Sequence, residues 1–298
     1  MFVDKVKDTL ASLGLNEAIS YSFTSPKFAQ ALMLDEDDKL REAITLVNPL
    51  GEALSVMRTT LTHTMCETLA FNATHFNKEA ALFEVSSVYI PKALPLTELP
   101  YEEQKLAIGV YGSNVDFFTL KGIVEELFAK LAIEAKYQRA NLNYLHPGRS
   151  AELFVDGVSV GNIGEMHPDS AKFYGVDNRL YVAELSIDKL FDLTKATKKF
   201  KAFSKFPAME RDLAVVVGEE VAVGDMLDAV RTGKIKYLTD LTAFDTYRSD
   251  AIGKDKKSVA LSFTFASLDG TLKDDEINGE MERILSILKR RFGAKIRG

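Results

Sequence analysis

A single cysteine, Cys66, stands among the 298 residues, so no disulfide can close within the chain, and a reducing, cytoplasmic setting is the expectation. Histidine is scarce too. His63, His75, His146 and His167 have no Cys or His partner at a ligand-like spacing, and no H-E-x-x-H occurs, so we expect no metal site. No apolar run approaches the ~20 residues of a membrane-spanning helix. The first twenty residues, MFVDKVKDTLASLGLNEAIS, lack a basic n-region and an apolar h-region, so no signal peptide is expected. They begin directly in an amphipathic pattern (Val3, Val6, Leu10, Leu13), which suggests a piece of a longer protein.

The net charge of -6 argues against a uniformly basic nucleic-acid coat. The charge is uneven, however. Residues 201–298 hold 17 Lys and Arg against 16 Asp and Glu, a net of +1, which leaves -7 for residues 1–200. This C-terminal third can approach RNA without strong repulsion.

The Lys-rich stretch FDLTKATKKFKAFSKFP (191–207) has no sustained apolar period and ends at Pro207, as a linker would. We place one domain at 1–195, a linker at 196–205 and a second domain at 206–298. In the first, patterning predicts helices at 3–13, 25–33, 59–76 and 116–132, and strands at 18–23, 44–47, 81–90, 105–112 and 179–187. A hairpin is predicted over 151–166, turning at Asp156-Gly157. This mixture predicts an α+β domain with a mainly antiparallel sheet. In the second, strands at 211–217, 237–248, 256–267 and 294–297 and helices at 223–231 and 274–292 follow the ferredoxin-like β-α-β-β-α-β order. Strict alternation in 256–267 puts Val259, Leu261, Phe263 and Phe265 on one face. Ser258, Ala260, Ser262, Thr264 and Ala266 fall on the other, small and polar face.

Three stretches of the first domain, NPLGEALSVMRTTLTHTMCETLAFN (48–72), LFEVSSVY (82–89) and LHPGRSAELFVDGVSVGNIGEMHP (145–168), resemble the phenylalanyl-tRNA synthetase β-subunit family. In the second, FPAMERDLAVVV (206–217), FDTYRSDAIGKDKKSVALSFTF (244–265) and TLKDDEIN (271–278) resemble that family's C-terminal anticodon-binding module. The matches run in family order along nearly the whole chain. The resemblance implies a non-catalytic domain with a class II synthetase-like fold, followed by a ferredoxin-like anticodon-binding domain. It further implies partners, an α subunit in a tetramer of two α and two β chains and tRNA(Phe), with ATP and magnesium serving the α subunit and no cofactor in this chain.

Class II adenylation needs arginines that match phosphate oxygens bidentately, one in an F-R-x-E strand and one in a G-x-G-x-x-R motif. Phe83 is followed by Glu84, no R-x-E occurs anywhere, and YVAELSIDKL (181–190) lacks the second motif's glycines and arginine. We therefore expect no adenylation by this chain alone and name no catalytic residue.

The resemblance also implies that the helix over 59–76 builds a subunit interface, with Arg58, Leu61, Met65 and Leu69 as its candidate residues; an intramolecular core stripe is the plainer reading. His146 to Arg149 reads as a structural turn, and Glu165 with His167 as a weak acid–base pair. For tRNA we select Arg211, Arg248, Lys254, Lys256 and Lys257, with Phe244 and Tyr247 as stacking rings. Alternation puts the two rings on opposite sides of their strand, so one at most should face RNA. The alternatives are a free-standing RNA-binding or regulatory protein, and an enzyme reusing the first domain's cleft.

Overall fold

The computed structural model describes residues 2–194 and 202–297. The chain divides into two units, Met1–Lys198 and Lys199–Gly298. Most of the expected linker, 196–201, lies outside the described residues.

The first unit opens with α1 (Phe2–Ser12), β1 (Asn16–Glu17), β2 (Phe23–Thr24), a one-turn α2 (Phe28–Ala31), β3 (Val56–Met57) and α3 (Thr62–Thr74). It continues through β4 (Ala80–Ile90), β5 (Tyr101–Tyr111), α4 (Phe117–Leu131), β6 (Lys136–Arg139), β7 (Leu145–Val155), β8 (Val158–Met166), α5 (Pro168–Phe173), β9 (Tyr181–Ser186) and α6 (Ile187–Leu193). Seven strands form one sheet in the order β1-β4-β5-β9-β8-β7-β6, antiparallel except for the β1–β4 pair. Side-chain alternation sends Leu106 and Ile108 of β5 to one face, where they pack with α1, α4 and α6. Ala107 goes to the other face, under α2 and α3. Gly109 is required there, because a Cβ would sit 2.7 Å from the Met65 side chain of α3.

Several local expectations are corrected. The strand expected at 18–23 is mostly irregular backbone between β1 and β2, and the helix expected at 25–33 shrinks to four residues. The strand expected at 44–47 reduces to one bridge, Thr45 to Val56. The helix expected at 59–76 starts at Thr62 and stops at Thr74. His146 to Arg149 is not a turn before a strand but part of β7, at a register shift between Leu145 and Ser150. Strand β6 and helix α5 carry no clear pattern and were not expected.

The second unit runs β10 (Met209–Gly218), α7 (Val223–Thr232), β11 (Leu238–Tyr247), β12 (Lys256–Phe265), α8 (Asp274–Phe292) and β13 (Lys295–Ile296). Its sheet has the antiparallel order β11-β12-β10-β13, the ferredoxin-like arrangement. Met226 and Val230 of α7 and Ile277, Ile284 and Leu288 of α8 pack with Val215, Val217, Val259, Leu261, Phe263 and Phe265. Both helices therefore cover the same face. Helix α8 holds Asp274, Asp275 and Glu276 in its first turn and Lys289, Arg290 and Arg291 in its last, each sign complementing the helix dipole, and Gly293 closes it at φ +62°.

Candidate nucleic-acid interface

The sheet face opposite α7 and α8 carries the candidate site. Cross-strand register places Tyr247, Ser258, Val216 and Lys295 in one row across that face. The neighbouring row on the same side is Asp245, Ala260 and Ala214, with Arg297 bonded to Ala214 through its backbone N–H at 3.0 Å. Lys256, opposite Gly218, lies at the same end. Toward the other end stand Asp212, Asp240 and Glu210, opposite Ser262 and Thr264. The face is thus small-residued in the middle, cationic at one end and acidic at the other. Lys and Arg suit phosphates, whereas carboxylates accept hydrogen bonds from base amino groups.

Tyr247 reaches this face because of a β-bulge. Leu241 and Ala243 oppose Phe263 and Leu261 on the helix side, but Asp245 opposes Ala260 on the open side. Phe244 is the extra residue between them. Were the alternation to run regularly through Phe244, Tyr247 would point at the helices along with Leu241 and Ala243. Both rings are exposed, Phe244 by 60% and Tyr247 by 44%, and the register places Tyr247 alone of the two in a row of the open face.

The five basic candidates separate. Lys254 and Lys256 are exposed beside the open face's cationic end. Arg211 is corrected: it faces the helix side, opposite Phe263, and is paired with Asp274 at the start of α8. Arg248 is held by Glu219 through Nε at 3.0 Å and Nη2 at 2.6 Å. The Arg248 guanidinium keeps the Glu219 carboxyl below its ordinary value. Lys257 is corrected as well, since it is buried and donates to the Glu219 carbonyl at 2.8 Å, which makes it an anchor for the loop. Lys295 and Arg297 escaped the sequence reading. Strand β13 is two residues long, too short for alternation to assign its sides.

In the first unit the candidate interface residues are also corrected. Arg58, Leu61, Met65 and Leu69 are each 1% exposed or less, so none offers side-chain surface to a partner. Leu61, Met65 and Leu69 belong to the core between α3 and the sheet. Arg58 donates to Glu84 Oε1 at 2.9 Å, Ser20 Oγ at 2.8 Å, the Tyr21 carbonyl at 3.2 Å and the Ser87 carbonyl at 3.0 Å, and also to Ser86 Oγ. The exposed apolar side chains lie beside this network. Ile19 is 90% exposed, Tyr21 70% and Phe71, on the outer side of α3, 62%. They line a groove of about 570 Å³ with Phe23, Leu54 and Thr68.

Glu165 and His167 do not form an acid–base pair. Glu165 is buried and takes a two-point contact from Arg149, with Nη2 at 2.9 Å. His167 Nδ1 accepts from the Asp169 N–H and caps α5. On β9, where the second phosphate-gripping motif would lie, Glu184 is buried and engaged by Lys105 and by the start of α3.

The family profile described as phenylalanyl tRNA synthetase beta chain CLM domain matches residues 1–187. The chain belongs to the phenylalanyl-tRNA synthetase beta chain family. A second profile, ferredoxin-fold anticodon binding domain, matches residues 204–297, the unit with the open sheet face. The phenylalanine–tRNA ligase beta subunit of Clostridium tetani is 42% identical over 296 residues, which cover 99% of this chain and 37% of that protein. The beta subunit of Bacillus cereus strain ATCC 14579 is 35% identical over 306 residues, with 98% and 37% covered. This member of the beta chain family thus spans a little over a third of the relatives it matches. No helix among its described residues is long and apolar enough to cross a membrane.

Proposed function

We propose that this chain is the tRNA-docking and partner-binding portion of a cytoplasmic phenylalanine–tRNA ligase, in which the α subunit uses ATP and magnesium to join phenylalanine to tRNA(Phe). The observation that carries the tRNA reading is the free sheet face of the second unit, with an exposed Tyr247 at its cationic end. Unstacked anticodon-loop bases rest on Tyr247, with Phe244 as a further exposed ring. Lys254, Lys256 and Lys295 meet the backbone, and Asp245 accepts from base amino groups. The Arg211, Arg248 and Lys257 candidates keep structural duties.

Tyr247→Ala should weaken binding of tRNA(Phe) by about tenfold or more, in line with a stacked base. Equilibrium binding at fixed salt checks this, and unchanged affinity would remove the face from consideration. Lys256→Gln should lower the salt slope of binding, by roughly 0.7 for a single-stranded contact.

The α subunit is assigned to the Ile19, Tyr21 and Phe71 surface, because exposed apolar side chains clustered around a groove mark protein contacts. Native mass measurement should give a heteromer with the α subunit. A Tyr21→Asp and Phe71→Asp double variant should lose it while retaining the circular dichroism of the parent. A heteromer of undiminished stability would place the interface elsewhere. In the same samples, the chain without the α subunit should support no ATP–pyrophosphate exchange with phenylalanine, and clear exchange would refute the non-catalytic reading.

A further inference from the structure

At one end of the first unit's sheet, three arginines gather on the face shared with α4. Register puts Arg139 in one row with Ala151, Ile163 and Ala183, all three of which belong to the core that includes α4. Glu165 lies two residues beyond Ile163 on β8, opposite the buried Tyr181, and so projects to the same side. Arg149 holds Glu165 through Nε at 2.5 Å and Nη2 at 2.9 Å. The Arg179 Nε lies 4.0 Å from the same carboxylate. Arg139 Nη2 donates to the Pro147 carbonyl at 3.3 Å, two residues from Arg149 and within the register shift of β7.

The cluster holds more positive charge than its carboxylate needs. Glu165 is 2% exposed, and a buried carboxylate requires one cationic partner of good geometry. Arg149 supplies it with a two-point contact. Arg179, whose side chain is 70% exposed, and the exposed Arg139 are then surplus. Neither is paired with any other carboxylate among the described residues. Three guanidiniums against one carboxylate leave a net of two positive charges, set in a stretch, 1–200, that totals -7. His146 adds a further donor. Its Nδ1 accepts from the Gly148 N–H at 3.0 Å, so the neutral ring carries its proton on Nε2. Pro147 and Gly148 are exposed and carry no long side chain, which leaves the outer side of the cluster open.

Planar guanidiniums match phosphate oxygens two at a time. A single carboxylate from a protein would answer one of the two surplus charges, whereas successive phosphates along a nucleic-acid strand answer both. A free anion would arrive against the acidic field of this unit, but RNA already held by the second unit is supplied at high effective concentration. We propose that Arg139 and Arg179, beside the Arg149–Glu165 pair and with His146 as a further donor, bind two successive backbone phosphates of the tRNA outside its anticodon arm. This rests on the reading that the second unit holds the anticodon loop, and it gives the first unit a contact of its own with the same RNA. Such a contact carries no base information and adds affinity and register.

The test uses the 298-residue chain with two RNAs, whole tRNA(Phe) and its isolated anticodon stem-loop, over a range of salt. An Arg139→Gln and Arg179→Gln double variant spares the Arg149 contact with Glu165, so it should melt with the parent. It should bind whole tRNA about tenfold more weakly, and its salt slope should fall by roughly 1.4–1.8, the loss of two phosphate contacts. Its affinity for the stem-loop should match the parent's. Unchanged tRNA affinity and slope would overturn the site, while binding of the stem-loop by the parent would still uphold the second unit's role. Equal losses with both RNAs would reduce the arginines to a general field and overturn the site too. Inorganic phosphate at matched ionic strength should shift the melting of parent and variant alike. Stabilisation of the parent alone would make this a site for the free anion and overturn the RNA contact. A parent that binds whole tRNA through these arginines but not the stem-loop would support this contact and sink the anticodon reading. A parent that binds neither RNA would sink both.

Discussion

Glu184→Gln should destabilise the first unit by about 3–5 kcal/mol, the cost of breaking a buried charge pair from one side. Glu184 projects from β9 into the start of α3. Its Oε2 accepts from the Leu61 N–H at 2.7 Å and the Thr62 N–H at 2.9 Å, with the hydroxyls of Thr60 and Thr62 alongside. Oε1 takes Lys105 Nζ at 2.7 Å. A carboxylate from the sheet thus caps a helix whose first N–H groups would otherwise be unsatisfied in the interior. Glutamine removes the counter-charge of Lys105 and turns an amide donor toward groups that need acceptors. In a unit of this size the loss corresponds to a melting-temperature drop of about 10 °C.

The acid limb offers a second readout. Burial opposes ionisation of Glu184, but the Lys105 charge and the hydroxyl and N–H donors outweigh it, and its carboxyl titrates below the ordinary value of 4.5. A depressed carboxylate adds stability that is present above pH 4.5 and lost as pH falls through the lower folded value. Thermal unfolding of Glu184→Gln should therefore show a shallower acid limb than the parent. Burial pulls Lys105 down while Glu184 more than restores it, leaving its ammonium above 10.5. That contribution is complete below pH 10.5 and disappears only as pH rises through the folded value. A parallel acid limb in the variant would show that Glu184 is not the group responsible.

Arg58→Met should cost a similar amount, about 3–5 kcal/mol, and should do so in the chain without any partner. The guanidinium ties the irregular segment around Ser20 and Tyr21 to β4 through Glu84, Ser86 and Ser87. Its loss strands the Glu84 carboxylate, which keeps only the Ser20 hydroxyl at 2.7 Å and a long backbone contact from Ser20 at 3.4 Å. Adding Glu84→Gln to Arg58→Met should recover part of the loss, since no buried charge then stands alone, and the double-mutant cycle measures the coupling. A residue acting only at a subunit interface would leave the isolated chain's melting unchanged, and that result would restore the interface reading of Arg58.

The sequence was most informative where burial is one-sided. In β12 every second residue meets the helices, so its alternation gave both faces of the second unit's sheet. Helix α4 and helix α8 carry an apolar stripe and a polar back, and their extents were readable. Helix α3 was harder. Thr62, His63 and Thr64 are buried along with Met65 and Leu69, so its apolar stripe did not mark a surface. The segment between β1 and β2 gave a misleading strand pattern because its backbone is held by side chains far along the chain. The polar edge strand β6 gave no pattern at all. At the candidate site, Tyr247 was identified by type, but the side it faces depends on an extra residue visible only once β11 is paired with β12. Arg297 was invisible for a related reason. Its guanidinium carbon lies 4.6 Å from the centroid of the Tyr247 ring, a residue fifty positions earlier, and nothing local joins them.

Strand β11 is also an outer edge of its sheet, and its pairing with β12 is irregular twice, near Leu238 and near Phe244. An unpaired edge with evenly spaced N–H and C=O groups is a template for a foreign strand. A second molecule laid against β11 would lose registry at each bulge and bring its own backbone up to Asp240 and Asp245. The kink that turns an aromatic ring outward thus also discourages copies of the protein from zipping together, so straightening β11 would be expected to promote aggregation as well as hide the ring.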